Sequence, residues 1–164
     1  MDDEEVEINV EIIMGILLKQ GLISGNLHYS SFEKTEQGEV VCMRIIYIET
    51  GKKPVVRRIK KSLREMQKLI GGHIEAIYPF NDTVALICND EGKLMGLPLN
   101  RGLKHPETGE LYEIIAGDFF ICGAPVDSDE FAGLSDTQVE TYLKLFHSPE
   151  VFMWENDKII SIKC

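Results

Sequence analysis

The residue order predicts an α+β protein: a mostly antiparallel β-sheet with two or three helices packed on it, preceded by an N-terminal helix. Three observations carry this. From residue 39 onward, short runs rich in β-branched residues alternate with turns rich in Gly, Asn and Asp. Two start signals, Ser62-x-x-Glu65 and Ser135-x-x-Gln138, each precede a run with helical spacing. Ahead of both, residues 4–20 follow an acidic start with apolar side chains that settle into helical intervals.

In the first predicted element, Val6, Ile8, Val10, Ile12, Ile13, Ile16, Leu17 and Leu18 supply the apolar positions, and Gly21 is a natural C-cap. The mixed stretch after it reads as loop, so residues 1–38 form an N-terminal helical appendage to a core domain spanning 39–164. Residues 39–49 and 54–60 read as two strands of an antiparallel hairpin, with Gly51 free to take a positive φ in the turn. Ser62 then opens a helix over 63–70, with Leu63, Met66, Leu69 and Ile70 on one side and Gly71-Gly72 at its end. Residues 73–79 alternate as a strand does. Residues 83–89 are continuously apolar, as a strand covered on both faces requires.

After Asn89-Asp90-Glu91-Gly92, residues 93–97 read as a returning strand that Pro98 ends, because proline cannot donate to a ladder. Residues 105–110 read as a surface loop, and residues 111–123 as one bent strand or two short ones around Gly117. The second capping signal opens a helix from Ser135 to about His147, its apolar face being Val139, Tyr142, Leu143 and Phe146. A closing hairpin follows, with residues 155–158 as its turn.

Charge divides the chain. The net charge is −10, yet residues 51–64 hold seven of the 17 basic residues and no acidic one, which leaves a balance of −17 elsewhere. Such an asymmetry favours homo-oligomers at low salt. No apolar run approaches the roughly 20 residues of a spanning helix, so no membrane contact is expected. The acidic N-terminus lacks a signal peptide's basic region, which points to the cytoplasm. Cys42, Cys88, Cys122 and Cys164 are widely spaced; the first three read as core residues in a reducing compartment and Cys164 as an exposed thiol. They have no paired ligand spacing, and neither a metal nor another cofactor is expected.

Several motifs resemble one family. Gly71-Gly72 at a helix end, Asn89 to Leu94, Gly96-Leu97-Pro98-x-Asn100 and Ile115-Ala116-Gly117 follow in the order seen in domain of unknown function 3846. The resemblance covers about residues 54–154 and leaves 1–50 outside. It implies a setting in bacteria, bacteriophages or mobile elements, and no activity. His73 stands where members commonly carry an aromatic residue such as Tyr.

Two groups of residues are candidates for binding. Asn89, Glu91 and Lys93 border a polar turn, and Asn100 and Arg101 bring donors suited to a carboxylate, a phosphate or a nucleobase edge. Lys52, Lys53, Arg57, Arg58, Lys60 and Lys61 form a basic strip suited to phosphate or a partner, although alternation sends adjacent cations to opposite faces. Catalytic templates fail: there is no Walker loop, no G-x-G-x-x-G, no H-E-x-x-H and no G-x-S-x-G, and His28, His73, His105 and His147 are scattered. The reading is a non-enzymatic binding or accessory protein. One alternative is a binder of a nucleotide-like ligand; another is an acidic mimic of nucleic acid that blocks a DNA-binding protein. A broad apolar patch would favour a protein partner.

Overall fold

Residues 40–164 are described by a computed structural model of the protein; the helix expected over residues 4–20 lies outside them. Nine strands and two helices follow in the order β1 (Cys42–Ile48), β2 (Val55–Lys60), α1 (Leu63–Ile70), β3 (Ile74–Ile77), β4 (Val84–Asn89), β5 (Leu99–Lys104), β6 (Leu111–Ala116), β7 (Phe119–Gly123), α2 (Asp136–Leu145), β8 (Glu150–Glu155) and β9 (Lys158–Lys163). The α+β reading holds for this region, and every strand pair is antiparallel.

Five strands form the central sheet in the order β2-β1-β7-β4-β3. Alternation sorts their side chains into two cores. Met43, Ile45, Tyr47, Ala85, Ile87, Phe120 and Cys122 face α1 with Met66 and Ile70. Ile46, Ile48, Val84, Leu86, Cys88, Phe119 and Ile121 face the other way, toward Tyr142 of α2, Phe146 at its C-cap, and Leu103 and Ile115 of the β5–β6 hairpin. Every residue of β4 is buried, as its unbroken apolar run requires.

Local chemistry sets the ends of the helices. Ser62 accepts from Glu65 N at the start of α1, and Gly71 closes it at φ 81°. Leu63, expected on the apolar side, is exposed because it opens the helix beyond the sheet's cover. The reciprocal capping box forms at Ser135 and Gln138 on α2. Arg44 of β1 holds the same end, donating to Leu134 O at 2.7 and 3.0 Å and pairing with Asp136 at 2.7 Å.

Two further sequence expectations need correction. Residues 93–97 are not a strand: Met95 N donates to Glu91 O, Gly96 N to Lys93 O and Leu97 N to Gly92 O, so the chain winds through successive turns. Pro98 accordingly precedes β5 rather than ending a strand, and its carbonyl accepts from Gly117 N at 2.7 Å. Cys42, expected in the core, is exposed because β1 begins there, beyond the packed part of the sheet. Cys88 and Cys122 are buried, and burial pushes their thiols up to about 11 and about 12, far from nucleophilic thiolates. Of the two readings for residues 111–123, two short strands form, β6 in the β5–β6 sheet and β7 at the centre of the large one.

Asp82 ties the entry of β4 to α2. It accepts from Tyr142 Oη at 3.0 Å, Gln138 Nε2 at 3.1 Å and Thr83 N at 2.6 Å. Desolvation opposes its ionisation, but the bonds from Gln138, Tyr142 and Thr83 outweigh it and hold the carboxyl below its ordinary range. A depressed carboxyl stabilises the fold above its unfolded pKa, near 4, and that contribution is lost as pH falls through the folded value. Asp82→Asn is therefore expected to cost about 1 kcal/mol at pH 7, discounted for solvent exposure. In urea unfolding at pH 7 and pH 3, the gap from the parent protein should narrow at the lower pH.

Candidate functional site

Asn100 and Arg101, expected to face a ligand, are buried, with 1% and 0% exposure. Adjacent residues in a regular strand point to opposite faces. Here the ladder passes from Leu99↔Ala116 to Arg101↔Ile115, so Asn100 is the extra residue of a β-bulge. Both side chains then turn inward. Asn100 Nδ2 donates to Ile48 O at 3.0 Å and Gly117 O at 2.9 Å, while Oδ1 accepts from Arg101 Nη1 at 2.8 Å. Arg101 sends Nε and Nη2 to Phe146 O, at 3.2 and 3.0 Å, and Nη2 also to Lys52 O at 2.7 Å. Its guanidinium thus satisfies the carbonyl of the residue that ends α2, where the helix dipole favours a cation. Burial lowers its pKa from the ordinary value, with the Glu150 carboxylate opposing. These donors are committed within the fold, which corrects their reading as ligand contacts.

Asn89, Glu91 and Lys93 sit in a knot at the end of β4. Asn89 is buried; its Oδ1 accepts from Glu91 N at 2.9 Å. A Cβ on Gly72 would lie 2.7 Å from Asn89 Nδ2, one on Gly92 2.7 Å from Ala116 O, and one on Gly117 2.7 Å from Leu97 Cδ1. The motif glycines thus bring three distant segments to van der Waals contact. Asn89 belongs to this framework rather than to a binding surface. Lys93 Nζ pairs with Glu113. Desolvation resists ionisation of Glu113, but bonds from Lys93 and Ile114 N hold its carboxyl below the ordinary range. On the outside of the knot, the ligand atoms of His73, Asp90 and Glu91 lie within 4.8 Å of one another, all exposed. They come from two strand ends and have no paired spacing in the sequence.

A groove of about 900 Å³ runs between the β5–β6 and β8–β9 hairpins. Gly102 lets them approach: a Cβ there would stand 3.3 Å from Glu150 Oε2 and 3.4 Å from Phe152 Cε1, both on β8. Leu99, Tyr112, Trp154 and Ile159 are exposed along the groove, Trp154 at 74%. Lys93, Lys104 and Lys158 line it together with Glu113 and Glu110. Lys158 approaches Glu110 at 4.0 Å, so two of these three lysines already have acidic neighbours. Trp154 was not among the sequence candidates; its place on a short strand marked it only as an aromatic in a closing hairpin.

Residues 43–147 match the family model of a domain of unknown function (DUF3846). The chain belongs to that family. The matched span starts earlier and stops sooner than the motifs suggested, taking in β1 and leaving the β8–β9 hairpin outside. No curated protein and no solved structure matches the chain. The DUF3846 region thus contributes one wall of the groove, and the hairpin beyond it contributes the wall that carries Trp154.

The basic strip lies on β2, an edge strand of the DUF3846 sheet, and on its flanking turns. Register places Arg57 opposite Ile45 and Arg58 opposite Arg44, on different faces, so no continuous groove of cations forms. Arg57 stacks on the Tyr47 ring at 4.2 Å, Lys61 pairs with Glu130 at 2.6 Å and Lys52 with Glu49 at 2.7 Å. Lys53, Arg58 and Lys60 are exposed. Cations on an exposed edge deter pairing with another chain's strand, which accounts for the strip without a phosphate ligand.

Proposed function

We propose that this protein is a non-enzymatic binding protein that takes an apolar stretch of a polypeptide partner into the groove between its two hairpins. The exposure of Trp154 beside Leu99, Tyr112 and Ile159 carries the reading. An exposed Trp and Tyr over an apolar floor are the usual anchors of protein recognition. The paired lysines at the rim favour an uncharged segment over a phosphate, which would have to displace Glu113 and Glu110. Burial of Asn100 and Arg101 removes the donors on which the nucleotide-like ligand rested. Ion pairs such as Lys61–Glu130 and Arg44–Asp136 interleave the charges, unlike the uniform carboxylate array that nucleic-acid mimicry needs. Ser161 Oγ, in the groove wall, has no hydrogen-bond partner and so lacks the adjacent base that a nucleophile requires. The accessory role in a bacterial or phage mobile element is part of the same proposal and rests on the family resemblance.

The chain has one tryptophan, so its fluorescence reports on this groove alone. Peptides selected from a display library on the full chain should shift Trp154 emission to the blue as the indole leaves water. Trp154→Ala should weaken the same peptides by about 2 kcal/mol, roughly 30-fold, measured by calorimetry. Peptides that bind both proteins equally, or a library that yields none, would overturn the reading.

A further inference from the structure

We propose that His73, Asp90 and Glu91 form a binding site for one divalent transition-metal ion of the zinc class. The backbone brings them together. Ile74 pairs with Asn89 in the β3–β4 ladder, so His73 and Asp90, each one residue beyond it, are neighbours across the strand ends. Asp90 N donates to His73 O at 3.2 Å, and the Asn89 side chain holds Glu91 N at 2.9 Å. Gly72 leaves room for that buried amide directly beside His73.

One imidazole nitrogen and two carboxylates converge within 4.8 Å. Zinc bonds to such ligands are about 2.0–2.1 Å long, so tetrahedral donors sit about 3.3 Å apart. Rotation of exposed side chains closes the remaining distance. Among the described residues, no hydrogen bond or ion pair engages any of the three side chains, although Lys93, two positions after Glu91, is committed to Glu113. Two carboxylates beside one imidazole supply the negative charge that a dication neutralises. The imidazole selects against magnesium and calcium, which prefer all-oxygen sites, and in favour of zinc and its first-row neighbours. Three protein ligands leave a fourth position for water or for a group from a partner.

The test is calorimetric titration of Zn²⁺ into the full chain after dialysis against chelator, with Co²⁺ absorption to read the coordination. One equivalent should bind. His73→Ala and Asp90→Asn should each weaken it at least about tenfold. Both positions are exposed, so the variants should unfold at the parent's midpoint without metal. The double variant Cys42→Ser with Cys164→Ser should bind as the parent does. Absence of binding at millimolar Zn²⁺, or equal affinity in His73→Ala, would overturn the assignment. Loss of binding in the serine variant would move the ion to the exposed thiols and overturn it equally.

Discussion

Arg101→Ala is expected to lower the unfolding free energy by about 3–5 kcal/mol, a large share of a small domain's stability. The loss has three parts. Phe146 O, Lys52 O and Asn100 Oδ1 each lose a donor from a charged group, and those left dry cost about 1–3 kcal/mol apiece. The end of α2 loses the cation at its negative pole. The stem, fully buried in the parent, leaves a void. Relief from keeping a buried cation returns part of this, which is why the sum stays below the separate costs. Arg101→Lys should still lose about 2 kcal/mol, because an ammonium cannot span these acceptors as a planar fork does. Urea unfolding measures both through the midpoint at constant slope. A change under about 0.5 kcal/mol would match a surface arginine and reopen the ligand reading.

Arg101 also marks where sequence reasoning reached its limit. The hairpin of β1 and β2, the helix of Leu63–Ile70, the buried strand through Val84–Asn89 and both Ser caps were legible because each depends on near neighbours. Residues two to four apart share a face or a cap, and that information is local. The bulge at Asn100 is not. It depends on β6 offering one residue opposite two, a property of the partner strand, and strict alternation would have left Asn100 or Arg101 facing water. The segment 93–97 failed for a similar reason: its apolar spacing suits a strand, but the close approach of Gly92 to Ala116 bends the chain at once. His73, Asp90 and Glu91 were invisible as a cluster because ladder register brings them together. Alternation along β2 is local too, and it divides Arg57 from Arg58 as their adjacency in the sequence requires.

The same knot supplies the second large effect: Gly92→Ala should cost about 3 kcal/mol, while Gly109→Ala should cost about 1 kcal/mol. The two substitutions add the same methyl group for opposite physical reasons. Gly109 has φ 72° with nothing within 4 Å, so alanine there meets only the left-handed backbone penalty. At Gly92 no positive φ is involved. Its new Cβ would stand 2.7 Å from Ala116 O and 3.4 Å from Asn89 O, against backbone that cannot rotate away as a side chain would. To make room, the turn must withdraw from the end of β6. Gly117, next to Ala116, donates to Pro98 O and its carbonyl accepts from Asn100, so withdrawal strains the bonds that position β5 and the bulge. Backbone collision should therefore outweigh conformational strain by about threefold in paired urea titrations. Equal losses would mean that the turn yields freely, and that the motif glycine serves its own backbone rather than the contact with β6.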